Sequence, residues 1–192
     1  MNQRVLALLS LLVLVVLVAG GILYVRSHSQ LKNASTAPIT GTATMGQKAP
    51  EFALPTTAGA FDLATVTKPV LLEIFATWCP HCQRETVVMN KLYAAYGSRV
   101  AFLAVPGSDT GMDGASPESQ FDVLNFQIRF NVKYPIAQYD PNLTVAKLYL
   151  KTGYPTIAII NRSKTITYLN DGEIPYQDLA AALNQVLKES KV

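Results

Sequence analysis

Residues 70–82 read VLLEIFATWCPHC, and this stretch decides the fold. Val70 to Phe75 is a short apolar run broken only by Glu73, the pattern of a strand buried within a sheet. After Cys79, Pro80 suits the first turn of a helix, where its fixed φ and missing N–H do no harm. The helix is predicted to run to about Tyr96, with Val87, Val88, Leu92, Ala95 and Tyr96 at rough i, i+3/i+4 spacing and Gly97 as its stop. The segment is thus a strand, a turn holding two thiols, and a helix.

Cys79 and Cys82 are the only cysteines of the 192 residues, which excludes a disulfide-dense scaffold. A sulfur at a helix N-terminus lies near unpaired N–H groups and the positive end of the helix dipole, which stabilise a thiolate. His81 can add a charge or a hydrogen bond to the same sulfur. Cys82, within the same turn, can attack a mixed disulfide on Cys79. The expectation is an exposed nucleophile at Cys79 and a buried resolving thiol at Cys82. Other uses of the pair fare worse. A static disulfide would close a tiny loop and gain little entropy. Zinc needs four ligands, and the second histidine is the distant His28. Haem attachment needs a histidine directly after Cys82, where Gln83 stands, and the extra ligands that suit copper chaperoning are not apparent. No cofactor is expected beyond a redox-active Cys79–Cys82 disulfide.

Outward from this centre the chain alternates strand and helix. Val100 to Val105 reads as a second buried strand, followed by a loop from Gly107 to Ala115. A helix is predicted from Ser116 to Phe130, with Ser116 as cap and Pro117 at its first position. A short helix over Leu143 to Leu150 follows the Asp140-Pro141-Asn142 turn. Thr156–Ile160 and Thr165–Leu169 flank Asn161-Arg162-Ser163-Lys164 as a hairpin. Pro175 to Leu187 closes the chain as a helix with Leu179, Leu183 and Leu187 in register. This is an α/β layered domain.

The N-terminal part differs. Val5 to Val25 is 21 residues without a charge, about 31 Å of helix and enough to span a bilayer core of roughly 30 Å. The division is residues 1–26 as transmembrane anchor, 27–45 as a Ser/Thr/Ala-rich flexible linker and 46–192 as the folded domain. A cleaved signal peptide competes, since Val18-Ala19-Gly20 offers small residues near a cut; the length of the apolar run favours the anchor. A very short tail before a long C-terminal domain places that domain on the extracytoplasmic side. The 49% apolar content, which excludes a disordered chain, falls to about 45% without this segment, ordinary for a soluble domain. From Ser27 onward 14 basic residues meet 13 acidic ones, so the formal +3 of the whole chain implies no nucleic-acid partner.

Trp78-Cys79-Pro80-His81-Cys82 after a buried strand, with Gly153-Tyr154-Pro155-Thr156 before another, resembles the thioredoxin superfamily. Gly46 to Pro55 (GQKAPEFALP) resembles the N-terminal hairpin of its membrane-anchored TlpA/ResA-like branch. The resemblance spans about Gly46 to Leu187. It implies a thioredoxin fold, with a four- or five-stranded central mixed β-sheet flanked by helices, and a cis Pro155 facing the cysteines. A cis bond there would expose the Tyr154 backbone to an incoming substrate strand. Glu73 stands where the family's buried carboxylate occurs; burial should raise its pKa and let it exchange a proton with Cys82, unless the side chain snorkels to the sheet edge. Trp78 is expected to shield the sulfur and contact substrate, or else simply to pack.

The direction of electron flow divides the reading. Pro80-His81 is the pair of the DsbA-like oxidases, whereas the scaffold resembles TlpA/ResA proteins, many of which reduce apocytochromes or other exported thiols. About 30 residues separate Val105 from Ile136, too few for the long helical insertion of the DsbA-like branch. The dipeptide places oxidation or disulfide exchange slightly ahead of reduction. The expected partners are exported cysteine-containing proteins and a membrane or extracytoplasmic redox partner. Two other readings stand further back. A thiol peroxidase usually relies on a lone cysteine with nearby Thr and Arg, and a redox-inactive binding module has no need of Pro-His. Peroxide consumption would support the first, and absent dithiol cycling the second.

Overall fold

The structure is a computed structural model that describes residues 42–189. The expected anchor over residues 1–26 and most of the linker lie outside the described residues. No helix among the described residues is long and apolar enough to cross a membrane. Packed chain begins earlier than Gly46: Ala43 is buried and its N–H donates to Leu148 O at 2.7 Å.

Ten elements follow. Strands β1 (Ala53–Thr56) and β2 (Gly59–Asp62) form a small hairpin. Then come β3 (Val70–Phe75), α1 (Pro80–Tyr96), β4 (Ala101–Pro106), α2 (Gln120–Arg129), α3 (Thr144–Tyr149), β5 (Thr156–Ile160), β6 (Ile166–Asp171) and α4 (Tyr176–Glu189). The main sheet has the order β4-β3-β5-β6. β3 runs parallel to β4 and antiparallel to β5, which pairs antiparallel with β6. Beyond β4, bridges from Ile136 to Ala104 and from Ala137 to Thr56 join the sheet to the small hairpin. Within the stretch expected to open the domain, only Ala53 to Pro55 enter β1. Residues near Lys48 bridge instead to Thr165, beside the start of β6.

Side-chain alternation in the strands divides the core in two. Leu71, Phe75, Phe102, Ala104, Ile157 and Ile159 face the cluster that includes Cys79 and Cys82. Val70, Leu72, Ile74, Leu103, Val105, Ala158 and Ile160 face the other, where α3 packs. Glu73 shares the parity of Leu71 and Phe75, so the strand period alone directs its carboxyl toward the thiol side.

Two helices depart from expectation. In α1 the buried residues are Cys82, Glu85, Thr86, Met89, Leu92 and Tyr96, while Val87 and Ala95 are exposed. The buried stripe is phased on Cys82, and two of its positions are polar, so a reading of apolar residues alone set it wrongly. Helix α2 starts at Gln120, not near Ser116. The Ser116 N–H and hydroxyl bind Asp113, and its carbonyl accepts from Gly111 N at 2.7 Å. Ser116 and Pro117 therefore belong to the loop. Ser119 caps α2 in a reciprocal capping box with Asp122. Ser119→Ala is expected to lower stability by about 1 kcal/mol in urea denaturation, with Ser116→Ala leaving α2 intact by circular dichroism.

Candidate active site

Cys79 occupies the N-cap of α1 in extended conformation, with Pro80 opening the helix. Both cysteines are free thiols, and Cys79 is near enough to help raise the Cys82 thiol. Cys82 is fully covered, as expected. Cys79 is not the exposed residue anticipated, for only 4% of it reaches solvent. The chain around Tyr154 lies over it: the Cys79 thiol donates to Tyr154 O at 3.7 Å, and the Tyr154–Pro155 peptide is cis. Cys79 keeps a narrow opening and Cys82 has none.

Trp78 borders the thiol at 37% exposure and stands edge-on to Tyr154, ring centroids 6.1 Å apart. Its indole N–H donates to Ser108 Oγ at 2.9 Å, and the Tyr154 hydroxyl donates to Gly107 O at 2.5 Å. Gly107 is required by close approach, since a Cβ there would lie 2.4 Å from Ile74 Cγ2 and 3.2 Å from Tyr154 Cε1. Gly107→Ala is therefore expected to destabilise the domain by about 1–3 kcal/mol in chemical denaturation.

One buried carboxyl, Glu73, stands against Cys82, and a second, Glu85, acts on Glu73. Glu73 is 2% exposed and accepts from the Tyr134 hydroxyl at 3.2 Å; it does not snorkel. Burial, then the Glu85 charge, pushes its carboxyl up to about 8, against the Tyr134 hydrogen bond. Burial likewise pushes Glu85 up to about 7, opposed by the Ile174 N–H at 3.1 Å. Burial and then Glu73 push the Cys82 thiol well above its ordinary value. A neutral or ionised Glu73 therefore changes how readily Cys82 releases its proton.

His81 is not brought to the sulfur. Its side chain is 59% exposed, and Nδ1 lies 2.6 Å from Glu173 Oε1 and 2.9 Å from an Arg84 guanidinium nitrogen. Arg84 Nε also donates to both Glu173 oxygens, at 3.0 and 3.1 Å. Hydrogen bonds from Arg84 and then His81 hold the Glu173 carboxyl down at about 2.

Sequence reasoning missed Glu85, Tyr134, Glu173 and a further buried carboxylate, Glu118. Glu85 alone had a usable signal, being three residues after Cys82 on the same helical face. Tyr134, Glu118 and Glu173 reach the site from separate segments, and no local pattern marks them.

Comparison with known proteins agrees with this geometry. The Redoxin family pattern matches residues 44–186. Thioredoxin-like protein YneN of Bacillus subtilis is 27% identical over 141 residues, covering 72% of this chain and 78% of that protein. Thiol-disulfide oxidoreductase ResA of Oceanobacillus iheyensis is 29% identical over 149 residues, covering 74% and 72%. A Chlorobium tepidum crystal structure, assigned as the thiol:disulfide interchange protein DsbE, superposes with a TM-score of 0.65 at 25% identity over 76% of this chain and 99% of that one. A sheet of this order, a Cys-X-X-Cys turn at the head of α1 and a family match over most of the length lead to one conclusion: the chain belongs to the Redoxin family, among the ResA-like thiol-disulfide oxidoreductases of the thioredoxin superfamily.

Proposed function

We propose that the protein exchanges dithiol for disulfide with exported cysteine-containing proteins while held at the membrane by Val5–Val25. The observation that carries the reading is the free thiol pair at the head of α1, with Cys79 alone reaching the surface beneath Tyr154 and a protonatable Glu73 behind Cys82. The Cys79 thiolate attacks a substrate disulfide, forming a mixed disulfide and expelling one substrate thiolate. Ionised Glu73 takes the Cys82 proton as Cys82 attacks Cys79 Sγ. The second substrate sulfur leaves as a thiolate that takes its proton from solvent, and the protein keeps the Cys79–Cys82 disulfide. Two electrons pass to the substrate; the reverse sequence oxidises a dithiol. A membrane or extracytoplasmic partner resets the couple.

On direction, the surroundings of His81 favour reduction over the oxidation suggested by the dipeptide. Glu173 sets a carboxylate against the imidazole and the Arg84 guanidinium, offsetting the charge that would otherwise stabilise a thiolate at the helix start. Equilibration with glutathione tests this. A couple below about −220 mV is expected, nearer thioredoxin at about −270 mV than DsbA at about −120 mV. Glu173→Gln, which frees His81 and Arg84, is expected to make the couple more oxidising by about 30 mV, a tenfold change in equilibrium constant. A wild-type value near that of DsbA would reverse the assigned direction.

A further inference from the structure

The loop from Gly107 to Ser119 has no part in the dithiol chemistry above, yet it is fastened to the active site at three points. Ser108 holds the Trp78 indole, Gly107 holds the Tyr154 hydroxyl, and Glu118 Oε2 accepts from Thr77 Oγ1 at 2.7 Å. The loop is braced internally, with Glu118 N donating to Asp109 O at 2.8 Å and Gly111 N to Ser116 O at 2.7 Å. Thr77 is fully buried and Glu118 is 4% exposed. The other Glu118 oxygen, Oε1, is buried without a hydrogen-bond partner.

A buried carboxylate with an orphaned oxygen is a costly way to close a loop. Its titratable neighbours give no charge compensation: Asp122 comes from α2, Tyr139 from the segment after the Ala137 bridge, and Asp109 from the facing arm of the loop. An apolar side chain of similar size would serve stability better. The position of the group is what distinguishes it, because Thr77 is two residues from Cys79 and directly precedes Trp78.

We infer that Glu118 is a positioning residue of the exchange reaction: through Thr77 it clamps the Thr77-Trp78-Cys79 turn onto the Gly107–Ser119 loop and sets how Trp78 and Cys79 lie against Tyr154. The inference rests on the dithiol exchange proposed above and adds to it a control of alignment. Burial pushes the Glu118 carboxyl up to about 7, against the Thr77 hydrogen bond. Ionised, it accepts stronger charge-assisted bonds and the clamp tightens; protonated, the clamp loosens.

Trp78 is the only tryptophan of the chain, so its fluorescence reports this turn without interference from another indole. In the full-length protein, emission is expected to titrate with a midpoint near pH 7, to keep that transition in Glu73→Gln and Glu85→Gln, and to lose it in Glu118→Gln. Glu118→Gln retains an acceptor for Thr77 and should exchange with insulin disulfides within about threefold of wild type. Glu118→Ala and Thr77→Val, which break the clamp from its two ends, should lower kcat by about tenfold or more, since misplacements near 1 Å can cost on the order of 10²-fold. Emission that does not titrate in wild type, or still titrates in Glu118→Gln, overturns the inference, as does a wild-type kcat in folded Glu118→Ala or Thr77→Val. Absent exchange in the wild type would instead overturn the proposed function, and the emission titration would still decide the clamp.

Discussion

Cys82→Ser is expected to accumulate as a mixed disulfide through Cys79, and Cys79→Ser to lose exchange by on the order of 10³-fold or more, the scale on which nucleophile removal acts. The asymmetry follows from burial and charge. Cys79 retains a small opening whereas Cys82 has none. Burial and the neighbouring Glu73 carboxyl make a Cys82 thiolate unfavourable in the resting protein. Cys82 is thus suited to attack only a sulfur already delivered beside it, the one on Cys79. Mass spectrometry of the Cys82→Ser adduct, after incubation with a cysteine-bearing peptide disulfide, reads the outcome. An adduct on Cys82 in the Cys79→Ser protein, matched by none on Cys79 in Cys82→Ser, would invert the two roles.

Glu73 should make the reduced protein less stable as pH rises, and Glu73→Gln should remove much of that loss. The folded carboxyl titrates at about 8 against an ordinary value of 4.5. Between these values the folded protein holds a proton that the unfolded chain has released. Its stabilising contribution is fully present below pH 4.5, declines as pH rises through the interval and is lost above pH 8. At about 1.4 kcal/mol for each pKa unit, the whole interval is worth on the order of 4–5 kcal/mol. Glu85 titrates nearby and is coupled to Glu73, so the observed slope belongs to the pair. Urea denaturation at pH 5 and pH 9 measures it, with a narrower gap expected in Glu73→Gln. The same variant should slow resolution of the mixed disulfide by roughly 10²-fold, the usual scale for loss of a positioned acid or base. An equal pH 5 to pH 9 gap in both proteins would remove Glu73 from the account.

How much was legible in advance depended on whether the signal was local. The strand over Val70–Phe75 was expected with the bounds it has, and α1 started and stopped at the predicted residues. These elements are set by an apolar run, a proline at a first turn and a glycine, all read within one segment. The start of α2 lies later than Ser116-Pro117, which has the form of a cap and first turn, because Asp113 binds Ser116 into the loop. The burial stripe of α1 was misphased because Glu85 and Thr86 are polar yet face inward.

The two cysteines at the head of a helix, and the chemistry of a dithiol, belonged to the sequence by itself. Spacing within one turn and the strand before it suffice to bring those sulfurs together. Tertiary structure alone decided how the sulfurs behave. It covered Cys79 with the chain at Tyr154, set Glu85 beside Glu73, turned His81 toward Glu173 and brought Glu118 against Thr77. Each of those contacts joins residues from different elements or loops, and burial and charge act through space, where order along the chain has no bearing on distance.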